Sequence, residues 1–414
     1  MGFHNFFAYI DPGTGSMLFT IILGVVTTGV FVVRGLIIKF KFGLGGGKSN
    51  KENAKKIPYV IFSDSKRYWN VFKPVCDEFE KREIPLSYLT ASPDDPALEE
   101  SYQYVKAEFI GEGNKAFARL NMMSAGTCLS TTPGLDVLQW KRSKFVDKYV
   151  HIFHAIDDGS MYRMFGLDYY DSVLLNAPVQ EAPLRKLEEL RNLPPKETLV
   201  VGSTHLDAMQ ERAQKEQTIV SGEKRNKVVL CAPTWGASSI LNRYGEDFLN
   251  ALKKTGYKII VRPHPQSKTA DPELLEDLQK KFPENESFEW NFDNDNFEVL
   301  KSADILISDF SGVVFEYSFI FDKPIIYADT SLDKSPYDAA WLEGEPWLIE
   351  TLPSIGKQLE PSDFDHMKEI IDQVADSKEY KAGRDAARDE GWSQRGSAAK
   401  NIVDYLVRQR EVTA

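Results

Sequence analysis

The sequence predicts an α/β protein in which two parallel-sheet domains face one another, preceded by a single transmembrane helix. Three observations carry this: short apolar runs separated by helical stretches from residue 57 onward, an uncharged apolar segment near the start, and a basic collar between them. At 414 residues, 42% hydrophobic and 27% charged, the chain can bury two or three cores and is too apolar for global disorder. Its three cysteines, Cys76, Cys128 and Cys231, form no CxxC pair, which argues against a disulfide framework or a cysteine-based zinc site. A formal charge of −11 argues against nucleic acid as a partner, because a phosphate-backbone binder usually presents a basic domain.

The elements follow in order. No residue from Pro12 to Val33 is charged. As a helix those residues would reach about 33 Å, enough for a hydrocarbon core of about 30 Å. A cleaved signal peptide would place basic residues before the apolar run, whereas here Arg34, Lys39, Lys41, Lys48, Lys51, Lys55 and Lys56 all follow it. The expectation is an N-terminal segment, residues 1–40, with a transmembrane helix at about 17–38. Its first sixteen residues would lie outside, and a single-pass chain would hold its body on the cytoplasmic side of the inner (cytoplasmic) membrane. Residues 41–56 read as a basic flexible linker. The Gly43–Ser49 stretch does not make a phosphate loop, since Phe42 stands where the motif needs its first glycine and no buried strand precedes it.

Apolar runs then fall at Tyr59–Phe62, Leu86–Leu89, Tyr149–Phe153, Ser172–Leu175 and Thr198–Val201. Between the first two, Trp69, Phe72, Cys76 and Phe79 recur at helical spacing. A second series is Val228–Ala232, Lys258–Arg262, Asp304–Ser308 and Pro324–Ala328. Short apolar runs alternating with helices imply parallel strands covered on both faces. The polar stretch after Leu206 divides the series into a domain at 57–205, a linker at 206–226 and a domain at 227–414 that includes the C-terminal helices. In such sheets ligands bind at the carboxyl ends of strands.

Three motifs sit there. In Ser308-Asp309-Phe310-Ser311-Gly312 a buried strand turns straight into a helix, and free amides at a helix start make an anion site. The bland alternative is that Ser311 caps the helix and Asp309 satisfies a turn. In Arg262-Pro263-His264-Pro265 two prolines hold His264 rigidly at a strand end, placed to contact a phosphate or move a proton. In the segment His151–Gly159, His154 emerges at a strand end as a general base; its i,i+3 spacing from His151 does not converge on a metal, and no metal or cofactor site stands out.

Together these residues resemble the CDP-glycerol glycerophosphotransferase family, which makes or primes teichoic-acid-type polyol phosphate polymers. The resemblance rests on Phe153-His154-Ala155, Val201–Asp207, Pro233-Thr234-Trp235, Pro263-His264-Pro265, Ser308–Gly312 and Lys323-Pro324, and covers roughly residues 145–410. Ala155, His205 and Gly312 depart from the family's Gly, Arg and Ser. The resemblance implies a GT-B-like pair of facing Rossmann-like domains and a transferase that moves glycerol phosphate, or a related phosphoalcohol, from a CDP-activated donor such as CDP-glycerol. The acceptor hydroxyl would be lipid-linked or membrane-presented. His154 would be the base, with Arg262, His264, Thr234, Ser308, Asp309, Ser311 and Gly312 on the donor side; Glu316 occupies a family acidic position, for ribose contact or a helix-surface role. Two other readings are a sugar-nucleotide glycosyltransferase or epimerase on the same fold, and a membrane-anchored binding protein with a decayed site.

Overall fold

Strand β1 (Ile57–Ser63) shows why the runs are apolar throughout. Its Tyr59 and Ile61 pack with Phe72, Val75 and Phe79 of helix α1 (Trp69–Lys81), while Val60 and Phe62 enter a second core with Leu120, Leu135 and Trp140. Both faces are covered, so no polar alternation is needed. Burial of each of the two phenylalanines of α1 contributes about 1.5–3 kcal/mol.

A computed structural model describes residues 56–216, 226–328 and 331–413 of the chain. The expected span at 17–38, the linker up to residue 55 and residues 217–225 of the expected inter-domain linker lie outside the described residues. Among the described residues no helix is long and apolar enough to cross a membrane.

The first sheet adds β2 (Leu86–Thr90), β3 (Val105–Phe109), β4 (Ala125–Ser130), β5 (Val146–Ile152), β6 (Ser172–Leu175) and β7 (Glu197–Val200) in the order β3-β2-β1-β4-β5-β6-β7, every pair parallel. Helices α2 (Asn114–Leu120), α3 (Glu181–Leu190) and α4 (Thr204–Lys215) belong to this half of the chain. The second sheet runs β10-β9-β8-β11-β12-β13, again parallel, from β8 (Val228–Cys231), β9 (Lys258–Val261), β10 (Phe288–Trp290), β11 (Ile305–Ser308), β12 (Ile325–Ala328) and β13 (Lys357–Leu359). Helix α5 (Ile240–Lys254) follows β8, and α6 (Val313–Phe321) follows β11. Strand order reverses between β1 and β4 and between β8 and β11, the places where open parallel sheets leave a crevice.

Two segments depart from the expected domain limits. The stretch from Leu206, expected as linker, begins as α4: Ser203 caps it, Thr204 Oγ1 donates to the Val71 carbonyl (2.7 Å), and Leu206 and Met209 enter the second sheet's core. The last helix, α7 (Ala398–Thr413), was expected with the second domain. Instead its Ile402, Val403 and Leu406 pack with Ile61, Phe72 and Phe79 of the first, and Tyr405 Oη donates to Ser172 Oγ (2.7 Å). The crossings are tight. Gly202 has φ +95°, and a Cβ there would sit 2.7 Å from the Ser393 carbonyl oxygen, so glycine alone suits the position.

The halves are clamped by one buried ion cluster. Arg191, just past α3, reaches Asp168 and Asp338 at 2.6 Å each, with the three side chains 4%, 9% and 2% exposed. Its guanidinium lies between the rings of Phe165 and Trp341, 4.9 and 5.0 Å from their centroids. Asp338 in turn accepts from the amides of Phe165 (2.7 Å) and Gly166 (3.2 Å). The Asp338 and Ala339 amides donate to the Tyr162 and Ser160 carbonyls, and the Trp347 amide to Asp158 (all 2.8 Å). Removing one partner of a buried cluster strands the others. Arg191→Ala should therefore cost about 3–5 kcal/mol in denaturant unfolding; a loss below about 1 kcal/mol, the range of an exposed pair, would contradict the clamp.

Candidate active site

The carboxyl ends of both sheets line one cleft of about 260 Å³. From the first domain come Arg67 and Tyr68 after β1 and His154 and Ala155 after β5; from the second come Arg262 and His264 after β9, Ser311 and Gly312 ahead of α6, and Glu316 one turn into it. His205, on the connecting helix α4, completes the lining.

The two histidines predicted as catalytic occupy opposite walls and differ in hydrogen bonding. His154 Nδ1 lies 3.0 Å from Thr131 Oγ1, and its ring rests 4.7 Å from that of Tyr68. With Nδ1 engaged, Nε2 is the nitrogen left to take a proton. Burial, aided by the charge of Arg67, pushes His154 down to about 4, so it stands neutral at pH 7. His264 Nδ1 accepts the Gln266 amide (3.1 Å), which leaves Nε2 carrying hydrogen in the neutral ring. Burial and the charges of Arg67 and Arg262 push it, too, down to about 4. His264 thus turns a donor to the cleft, and His154 turns an acceptor to it in the tautomer whose Nδ1 donates to Thr131.

The donor-side motif divides. Ser311 and Gly312 line the cleft, and Gly312 is the N-cap of α6 in ordinary right-handed conformation, φ −57°. The Val314 and Phe315 amides donate to the Ser311 and Gly312 carbonyls (3.2 and 3.0 Å), so the open start of the helix lies at Gly312 and Val313. Ser308, Asp309 and Thr234, predicted to touch the donor, do not line the cleft and make hydrogen bonds within the second domain. Ser308 Oγ donates to the Ala232 carbonyl (2.6 Å) and is fully buried. Asp309 accepts the amides of Thr234 (2.8 Å) and Ile240 (3.0 Å), with Ser311 also bonding it, so this carboxylate already fills the anion hole at that turn. Burial nevertheless pushes Asp309 up to about 6. Thr234 contributes the amide that Asp309 holds.

Arg262 is steered by Asn291 and by the Asp293 carbonyl (2.8 Å), which aims its guanidinium along the cleft edge. Glu316 is not a bare helix-surface residue. Its Oε1 lies 3.4 Å from His205 Nε2, and its Oε2 accepts from Asn296 Nδ2 (2.6 Å). Burial alone would raise Glu316, but the facing His205 holds it below the usual carboxylate range; the same contact overrides burial at His205 and raises it. His205 and Glu316 thus face one another inside the cleft, each favouring the charged form of the other.

Arg67, Tyr68, Thr131 and Asn296 were absent from the sequence reading of the site. All but Asn296 directly follow a first-domain strand, β1 or β4, so the strand-end rule, had it been applied to the whole first sheet, reaches them. Two departures from the family pattern meet across the cleft: a Cβ added at Gly312 would lie 3.8 Å from Ala155 Cβ. Where the family carries Gly at the first position and Ser at the second, this chain places its one methyl on the opposite wall. Elsewhere in the His151–Gly159 segment, His151 is wholly buried with Nε2 3.1 Å from Tyr162 Oη. Among the described residues no cluster of three His, Cys, Asp or Glu side chains could hold a metal ion.

The buried histidines make an acid-side signature. Between about 6.5 and about 4 the unfolded chain takes up protons that folded His154 and His264 refuse, so their contribution to stability is lost as pH falls through that window. Asp157, pushed up to about 7 by burial and by Asp158, and Asp309 act with the opposite sign. The parent-minus-variant difference isolates the histidine: His154→Asn should remove about 2–3 kcal/mol of the loss between pH 7 and pH 4. Denaturant melts at each pH check it, and parallel curves contradict it.

Comparison with known proteins agrees with this geometry. A family model described as CDP-Glycerol:Poly(glycerophosphate) glycerophosphotransferase matches residues 181–408. The chain is 30% identical over 135 residues to the teichoic acid glycerol-phosphate primase of Bacillus subtilis (strain 168). That stretch is 31% of this chain and 32% of the primase, so the match spans about a third of that relative. The solved structure of the wall teichoic acid polymerase TagF shares the fold, with a TM-score of 0.60 at 18% identity over 94% of this chain and 99% of that one. A variant of that polymerase soaked with CDPG gives 0.57 at 17% identity over 94% and 98%. A putative UDP-N-acetylglucosamine 2-epimerase from Listeria monocytogenes gives 0.54 at 14% over 87% and 98%, again a likeness of GT-B-like fold. With a family model matched over more than half its length, the chain belongs to the CDP-glycerol:poly(glycerophosphate) glycerophosphotransferases.

Proposed function

We propose that this chain transfers glycerol phosphate, or a closely related phosphoalcohol, from a CDP-activated donor to an acceptor hydroxyl, releasing CMP. The observation that supports it best is the pair of neutral histidines on facing walls of one cleft. The acceptor hydroxyl gives its proton to His154 Nε2 as its oxygen attacks the phosphorus that bears the glycerol. The bond from that phosphorus to the bridging oxygen breaks, and the electron pair leaves on CMP. His264 Nε2–H, Arg262 and the positive end of α6 at Gly312 and Val313 receive the negative charge on the donor phosphates. General-base action of this kind contributes about 10²–10⁴-fold.

The donor named for the soaked polymerase and the polymers named for the relatives support a CDP-alcohol and a cell-surface polymer. The uncharged segment and basic collar support an anchored chain, with its body on the cytoplasmic side and a membrane-presented acceptor.

The test is CMP release from CDP-glycerol with an acceptor. His154→Ala should abolish transfer while CMP affinity stays within a few-fold; His264→Ala should weaken both. Wild-type turnover in the His154 variant sinks the assignment, and release of UDP or UMP from a sugar nucleotide instead would favour the glycosyltransferase or epimerase reading. Gly312→Leu tests the phosphate turn: its backbone conformation tolerates a side chain, so the fold should hold while CMP affinity, read by calorimetry, drops roughly thirtyfold, about 2 kcal/mol.

A further inference from the structure

We propose that Arg67 is a further catalytic residue: its guanidinium bonds the non-bridging oxygens of the phosphorus in transit, an arginine supplied by the first domain to a donor held by the second. The inference rests on the CMP-releasing transfer proposed for this cleft. It concerns a residue outside both the 145–410 stretch that carries the family resemblance and the 181–408 that the family model matches.

Arg67 sits in a single 3-10 turn, Lys66–Tyr68, just after β1, where the strand order of the first sheet reverses. The turn is fixed by its backbone: the Lys66 amide donates to Ser92 Oγ (3.0 Å) and the Arg67 amide to Ser65 Oγ (3.4 Å). The Arg67 side chain is steered by the same serine, with Nε donating to Ser65 Oγ (3.1 Å). Its two terminal nitrogens have no partner among the described residues, whereas Lys66 beside it is paired with Asp94, and Arg262 across the cleft is bonded to Asn291 and the Asp293 carbonyl. Asp64 feels the charge of Arg67 without pairing with it. A guanidinium held at Nε turns out a planar fork, the shape that bonds two oxygens on one phosphorus.

Its place is between the walls. Arg67 lines the cleft together with His154, His264, Arg262 and Gly312, and among the first-domain residues of that lining it alone carries a permanent charge. Its guanidinium carbon is 5.9 Å from the centroid of the Tyr68 ring, and that ring is 4.7 Å from the ring of His154. After burial, Arg67 is the largest influence lowering His154 and His264 alike, and at His264 it acts ahead of Arg262, two residues away in the chain. The charge therefore reaches both histidines. The reacting phosphorus belongs at the same point: the attacking oxygen gives its proton to His154 Nε2, and the departing CMP rests on His264 and Arg262. While the new bond from the acceptor oxygen to phosphorus forms and the bond to the bridging oxygen breaks, its electron pair going to CMP, the two non-bridging oxygens stay negative and face the first wall. Arg67 is the group there to meet them.

The full chain, CDP-glycerol and a synthetic glycerol phosphate oligomer as acceptor test this, with CMP release as the readout. Arg67→Ala should lower kcat about 10²–10³-fold, the usual effect of removing one donor to a transition-state oxygen. Its CMP affinity by calorimetry and its Tm should match the parent's, because CMP lacks the phosphorus concerned. Added methylguanidinium should restore turnover in Arg67→Ala and not in His154→Ala. Arg67→Lys, which keeps the charge and loses the fork, should stay roughly tenfold or more below the parent. Unchanged kcat in Arg67→Ala overturns the assignment. So does a rise in acceptor KM alone, which would put the guanidinium on the acceptor's own phosphates, and so does a parallel loss of CMP affinity and Tm with no rescue, the mark of a structural part. A parent chain that releases no CMP sinks the transfer itself and this role with it, an outcome distinct from a working parent beside an equally active Arg67 variant.

Discussion

Everything the cleft does depends on the guanidinium of Arg191. Two open sheets have no intrinsic reason to hold their carboxyl ends a fixed distance apart, and groups on both walls can act on one ligand only where that distance is held. Arg191 supplies a planar, permanently charged fork against two carboxylates, with an aromatic ring on either side. A lysine could balance charge there but could neither bond both acids in plane nor stack. Because Asp338 also holds two first-domain amides, the cluster transmits backbone position as well as charge.

Inside that frame, burial sets the electrostatics. Both histidines are kept uncharged beside Arg67 and Arg262, which reserves positive charge for groups that cannot lose it. The imidazole of His205, by contrast, is favoured in its charged form by Glu316. A histidine partner titrates where an arginine would not, so the state of this pair, unlike the family's usual one, responds to pH.

Most strands were legible because burial on both faces leaves an unbroken apolar run. The ones missed have physical reasons. Strand β3 is an edge strand with three of its five residues exposed, and β4 is built of small residues, Ala-Gly-Thr-Cys-Leu-Ser, that pack closely without reading as apolar. At Gly126 an added Cβ would meet the Pro58 carbonyl oxygen at 2.8 Å. The lining of the cleft was legible where a strand ends in a chemically distinctive side chain, as at His154, His264 and Arg262, which the fold brings together. It was misread at Ser308 and Asp309, since a polar residue at a strand end can face a ligand or its own backbone amides and spacing does not tell these apart. The destination of α7 was hidden for a similar reason: helical spacing declares a buried face but not which sheet buries it.

The return of α7 has a consequence for the order of synthesis. The first domain's strands all leave the ribosome within the first half of the chain, yet the face that α1 shares with Ile402, Val403 and Leu406 stays uncovered until the final residues emerge. Domains made early usually close early. Here the early one must wait, through the whole production of its neighbour, with part of its apolar surface open to water. Completion of the first half thereby waits for α7, and a chain without that helix would leave open the half it made first.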